Sequence, residues 1–304
     1  MIVLNSLFPI FVLLLFGRFL KSRGLTNSEF LKTSDRLIYY VFFPVMLFWK
    51  IGGSSFAGGI DWLFVMAGIA PFFAMFLFSA FTMYLCKVSS YQAGSFSQSC
   101  YRFNTYIGVA VVLNSMGNEG VRYLGLLIGF VIPLVNLFAV FTLIWFSGEK
   151  LKIEQRFVIT LRTVVSNPMI IGCVAGVVYS QTFGYFPTFI DNSLALISMV
   201  ALPLALVSVG GGLTFSGLRG HFKLSLVGAI LKLFVLPVFG YGFFCLFGVT
   251  GVPLKVGLIF LALPASTAIY VLSSQLHSDT ELASASIFLS TILSFISLSV
   301  VLLL

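Results

Sequence analysis

The sequence predicts an all-α polytopic membrane protein of ten transmembrane helices, built as two inverted five-helix repeats. Three observations lead there. The chain is made of long apolar runs with little charge, a set of Pro and Gly residues recurs at one fixed offset, and Lys and Arg are distributed unevenly among the connecting segments.

Of the 304 residues 59% are hydrophobic and 9% charged, and Phe alone supplies 35. Soluble domains carry about 25% charged residues, so a buried soluble core is excluded. The runs are continuous, whereas membrane strands alternate in blocks of about ten residues. In hydrocarbon every backbone group must be satisfied internally, which leaves helices. The expected spans are 2–20, 36–53, 61–86, 92–116, 121–146, 163–181, 190–215, 222–248, 254–276 and 280–304. The first span lacks a basic n-region and a small-residue cleavage site, so it reads as a retained helix and not as a signal peptide.

Pro9, Gly17, Pro44, Gly52 and Gly53 recur as Pro168, Gly176, Pro203, Gly211 and Gly212, each at an offset of 159 without a gap. The chain has only 10 Pro and 28 Gly, so chance is a poor explanation. The reading divides the chain into a first repeat (1–146), a cytoplasmic linker (147–162) and a second repeat (163–304).

Charge sets the orientation. Arg18, Lys21, Arg23, Lys32, Arg36, Lys87, Lys150, Lys152, Arg156, Arg162, Arg219 and Lys223 fall on one side, and Lys50, Arg122 and Lys255 on the other. The positive-inside rule makes the first side cytoplasmic and both termini external. Five spans per repeat then force the second repeat to enter from the opposite face. The net charge of +8 sits in these short loops and reads as orientation, with no nucleic-acid partner expected.

The offset carries Asn104 and Thr105 onto Leu263 and Pro264. Both places read as helix breaks, because Pro264 removes a backbone donor and Asn104 and Gly108 tolerate non-helical backbone. Irregular backbone at membrane depth survives only where protein buries it or where it lines a wet cavity. Two such breaks would expose half-helix N-termini, which attract anions. Asn104, Thr105, Ser266 and Thr267 would add side-chain hydrogen bonds beside Pro264. Arg102 and Lys232 are the basic residues inside spans. Arg102, two residues before the break, would attract an anion, hold a carbonyl or snorkel; Lys232 would be a clamp, a substrate contact or a titrating group. Asn136 would face a cavity or bond between helices. Ser286, Ser290, Ser294 and Ser297 punctuate the last span and read as close packing or a polar pathway.

Several functions are excluded. Asp35, Asp61, Asp191, Asp279 and Glu281 lie near span ends, so neither a paired-Asp cation antiporter nor an intramembrane aspartyl protease fits. His221 and His277 also lie near ends, which removes a Ser–His nucleophile from the core. There is no GxxxxGK[ST] motif, and Cys86, Cys100, Cys173 and Cys245 are scattered singly, so no metal site, disulfide framework or cofactor is expected.

The segment Asn5 to Phe11 with Pro9, the Tyr40–Pro44 stretch, Arg102-Phe103-Asn104, Ser166-Asn167-Pro168, Ala201 to Leu206 around Pro203, Leu263-Pro264-Ala265 and Leu289 to Ser294 together resemble the auxin efflux carrier family over essentially the whole chain. The likeness is to a short bacterial member without a long central loop, which implies the bacterial inner membrane. It implies a sodium–proton-antiporter-like fold in which broken helices 4 and 9 cross, a scaffold of spans 1, 2, 6 and 7, and a mobile unit of spans 3–5 and 8–10. It also implies an anionic substrate beside the crossover, to which Asn104 and Pro264 correspond. Where the family's other crossover commonly has proline, this chain has Thr105 and Gly108. The expected function is secondary transport of small organic anions such as carboxylates by alternating access, with no enzymatic activity. The alternatives are a sodium-coupled symporter of the bile-acid type and a ligand sensor that does not transport. The expected partners are a small anion and the bilayer; a homodimer is compatible with the sequence.

Overall fold

A computed structural model of the chain describes residues 2–53, 61–146, 162, 165–213 and 217–304. Among them every regular element is a helix: α1 (Ile2–Ser22), α2 (Ser28–Leu37), α3 (Phe43–Gly52), α4 (Trp62–Leu85), α5 (Ser90–Tyr101), α6 (Thr105–Phe146), α7 (Pro168–Thr182), α8 (Thr188–Gly212), α9 (Leu218–Ile230), α10 (Leu236–Leu246), α11 (Gly251–Leu261), α12 (Ala268–Gln275) and α13 (Thr280–Leu303). Among the described residues six stretches are long and apolar enough to cross a membrane: Val3–Ser22, Trp62–Leu85, Ser90–Leu143, Thr188–Gly212, Leu218–Leu246 and Thr280–Leu303. This is a multi-pass membrane protein. Except for Arg162, the expected linker 147–162 lies outside the described residues.

Ser90–Leu143 is 54 residues long, against the about 20 that one crossing needs. It is interrupted at 102–104 and bends again at Gly117, where φ is +62°. That left-handed value is open to glycine and costly for residues with a Cβ.

Two π-turns join neighbouring helices, Ile38–Phe42 between α2 and α3 and Leu231–Val235 between α9 and α10. Pro44 and Pro237 follow within two residues. A proline has no N–H, so the ladder is interrupted there and the wide turn sits beside the gap. Through the first π-turn, residues 28–52 form one helical run that begins at Ser28 and not at the predicted 36. The Asn27 side chain starts this run by accepting from the Phe30 N–H at 2.7 Å.

The described residues divide into two compact units. The first gathers those of 1–62, 106–129 and 165–213. In it α1 packs on α8 and α3 on α7. A Cβ at Gly17 would lie 2.0 Å from the Val207 carbonyl oxygen, and one at Gly176 would lie 2.9 Å from Ile51 Cβ and 3.1 Å from the Phe48 oxygen. Gly17 and Gly176 are 159 apart, and so are Phe48 and Val207. Hydrogen bonds also tie helix ends together: Arg18 Nη1 donates to Leu213 O at 3.0 Å, Trp49 Nε1 to Asp191 Oδ1 at 2.6 Å, and Lys50 Nζ to Asn118 Oδ1 at 3.0 Å.

The second unit gathers the described residues of 63–105, 130–164 and 214–304. Here α13 packs against α5, α9, α11 and α12. Asp279 caps α13 by accepting from the Glu281 and Leu282 N–H groups at 3.1 and 2.9 Å. It also pairs with His221 at 3.0 Å, accepts from Gln92 at 3.4 Å and donates its own N–H to Tyr91 O at 3.0 Å.

Candidate functional site

Both predicted breaks are present in the second unit. The first separates α5 from α6, where residues 102–104 leave helical geometry and Arg102 is extended (φ −67°, ψ 144°). The second separates α11 from α12 over residues 262–267, around Pro264. Each interruption frees backbone donors and acceptors, which are costly to leave bare when buried, as residues 102–104 and 262–265 are. One of each meet directly: the Asn104 N–H donates to the Pro264 carbonyl at 2.8 Å.

The last helix satisfies two more. Ser290 Oγ accepts from the Ala265 N–H at 3.1 Å, and Ser297 Oγ donates to Ala262 O at 3.0 Å. The start of α12 is capped locally, with Ser266 Oγ accepting from the Ala268 N–H at 3.2 Å. Apolar packing closes the other side. Phe103, inside the first break, has its ring centroid 4.3 Å from that of Phe260, and Phe72 lies 5.8 Å from both.

A buried cation stands at the C-terminal end of each leading half-helix. Arg102 is the C-cap residue of α5. Its Nη1 donates to Gln98 Oε1 at 2.8 Å and its Nη2 to Asn136 Oδ1. Lys232, which is 0% exposed, reaches from the π-turn to donate to Leu261 O at 2.7 Å, the last carbonyl of α11. The end of a helix carries partial negative charge and orphan carbonyls, so a cation there is compensated twice. This offsets a burial that alone costs at least about 2.5 kcal/mol.

The site residues therefore sort into three groups. Asn104 and Pro264 are buried and joined through the backbone; Thr105, Ser266 and Thr267 are partly exposed at the starts of the following half-helices. Arg102 and Asn136 are hydrogen-bonded to each other, and Arg102 belongs to the break itself, not to the helix two residues before it. Its guanidinium is buried and held by Gln98 and Asn136. Lys232 stands apart from that pair and reaches from the π-turn between α9 and α10 to the end of the other leading half-helix, α11. Gln98, Ser290 and Ser297 hold the breaks and were not singled out for that role by the sequence. The signal for the two serines was their helical spacing in the last span, and for Gln98 its place one turn before Arg102. Among the described residues no three His, Cys, Asp or Glu side chains cluster as metal ligands would.

Comparison with known proteins bears on this arrangement. The sequence pattern of the family described as "membrane transport protein" matches residues 2–302. An uncharacterized transporter of Methanocaldococcus jannaschii is 23% identical over 305 residues, covering 97% of this chain and 96% of that protein. An uncharacterized transporter of Methanothermobacter thermautotrophicus is 26% identical over 303 residues, covering 97% and 95%.

Proposed function

Since this chain belongs to the membrane transport protein family, that of the auxin efflux carriers, we propose that it is a secondary transporter of small organic anions such as carboxylates, working by alternating access. The observation that carries this reading is the backbone hydrogen bond between the two helix breaks, Asn104 N–H to Pro264 O. Paired discontinuous helices put half-helix N-termini at one place, and these attract an anionic group. The substrate carboxylate would be received by Asn104, Thr105, Ser266 and Thr267 beside Pro264. Arg102, with Asn136 as its partner, and Lys232 would hold the half-helix ends in place, and the two cations would add positive potential.

The ten-span, inverted-repeat architecture is part of the proposal. It is supported by the matched contacts of Gly17 with Val207 and Gly176 with Phe48, which the offset of 159 exchanges. It is also supported by the helix-end contacts. Arg18–Leu213 and Gln92–Asp279 each join segments that charge assigns to the cytoplasm, and Trp49–Asp191 and Lys50–Asn118 join segments assigned to the outside. Spans 1, 2, 6 and 7 would then be the scaffold and spans 3–5 and 8–10 the moving part. The division into two compact units supports this, with 106–129 going to the first unit.

Purified protein in liposomes, offered labelled mono- and dicarboxylates, tests the function. Saturable uptake of at least one is expected, and saturable binding with no uptake of any would identify a sensor instead. Asn104→Ala should lower uptake about 10- to 100-fold, the worth of one or two hydrogen bonds to a charged group. The bond to Pro264 uses the backbone and survives this change, and size-exclusion chromatography of the variant checks its fold beside the uptake assay. Uptake at the wild-type rate would remove Asn104 from the site.

A further inference from the structure

Two cavities in the second unit share Val88 as a lining residue. One, of about 400 Å³, is apolar and lined by Phe76, Met83, Tyr84, Phe141 and Trp145. The other, of about 610 Å³, is lined by Lys87, Gln92, Arg219, His221 and Lys223. We propose that together they bind one anionic phospholipid, its phosphate held by Lys87, Arg219 and Lys223 and an acyl chain lying in the apolar cavity.

The charge of the second cavity is one-sided. Lys87, Arg219 and Lys223 are exposed, and none has an acidic partner among the described residues. The nearby Asp279 is occupied: it caps α13, pairs with His221 and accepts from Gln92. Glu281 lies against Gly217 and does not line the cavity. Arg219 sits in the first turn of α9, which has no acidic residue there and no side-chain cap. Cations at that end add to the positive pole of the helix, an arrangement that an anion relieves. Lys87 is held at φ +50°, a left-handed conformation uncommon for a residue with a Cβ.

The apolar neighbour decides which anion. A free phosphate would use the basic cavity and leave the adjoining one unfilled, whereas a phospholipid fits both. Tyr84 and Trp145, 81% and 65% exposed, edge the apolar cavity with the ring type that lies at the headgroup level of a bilayer. Anionic lipids are recognised by clustered Lys and Arg at the ends of membrane helices; Lys87 follows the end of α4 and Arg219 stands in the first turn of α9.

The test uses detergent-purified, delipidated protein and native mass spectrometry with phosphatidylglycerol and phosphatidylcholine of matched chains. Each basic side chain is worth about fivefold in affinity, so phosphatidylglycerol should be retained at least about tenfold better. The combined change Lys87→Gln, Arg219→Gln, Lys223→Gln should abolish that preference, while Lys87→Arg with Lys223→Arg should keep it. Ala80→Trp, which fills the apolar cavity and leaves every charge, should weaken phosphatidylglycerol retention. Equal retention of the two lipids overturns the proposal. So does displacement of phosphatidylglycerol by inorganic phosphate together with no effect of Ala80→Trp, which would mark a soluble-anion site. Should the triple variant fail to give monodisperse protein, the Arg-for-Lys and Ala80→Trp variants decide the matter.

Discussion

Ser290 is a small side chain with a structural task beyond its own helix. Its hydroxyl accepts from the Ala265 N–H, immediately after the proline that breaks the second helix, and both groups are buried. Removing the oxygen leaves a buried donor without that acceptor, a loss of about 1–3 kcal/mol. Ser290→Ala should therefore lower the melting temperature in detergent. Ser294→Ala should have a smaller effect, because Ser294 donates only to Thr291 O within its own helix. Equal effects would mean that the serines of α13 act through helix packing alone. These roles were only half legible in the sequence. Proline and a polar stretch announce a break locally, so Pro264 and Asn104 stand out. The groups that mend the break arrive from elsewhere: Ser290 is 25 residues from Ala265, and Lys232 is 29 from Leu261. Nothing in a one-dimensional pattern says which carbonyl a buried lysine will reach.

At the level of elements, glycine allows α1 and α8 to approach backbone to backbone. A methyl group at position 17 would fall 2.0 Å from the Val207 oxygen, a distance that only a shift of one helix can relieve. The repeat-related Gly176 faces the side chain of Ile51 at 2.9 Å and the Phe48 oxygen at 3.1 Å, a contact that partly yields. Gly220, inside α9, is open: a methyl group there would meet nothing within 4 Å. Overpacking costs about 1–3 kcal/mol, whereas Ala for Gly in an open helix gains up to about 1 kcal/mol. Thermal unfolding should rank the variants Gly17→Ala as least stable, Gly176→Ala between, and Gly220→Ala at or above wild type; a neutral Gly17→Ala would contradict the close approach. The helices themselves were largely legible, since long apolar runs have few alternatives in a membrane. The exception is α2. Its sequence, with Glu29, Lys32, Asp35 and Arg36, lacks the apolar signal, but Asn27 caps it and Leu31 and Ser34 are buried, so the run of 28–52 starts earlier than hydropathy suggests.

For the whole molecule the question is sidedness, because an inverted repeat requires an odd number of crossings in each half. Charge puts Lys87 in the cytoplasm and Lys255 outside, and both are exposed in the turns or first turns beside their helices. A cysteine at either place is open to a maleimide that cannot cross a membrane. In a chain lacking the exposed Cys86 and Cys245, Lys255→Cys should label in right-side-out vesicles and Lys87→Cys in inverted ones. Cys100 and Cys173 are buried and stay silent. Labelling of both positions from one side would need an even number of crossings between them. That result would break the inverted relation between the halves, and with it the argument that the Asn104 and Pro264 breaks are related by a two-fold axis in the membrane plane. Uptake by the same vesicles would stand or fall separately, because a transporter of another topology could still hold an anion between these two half-helices.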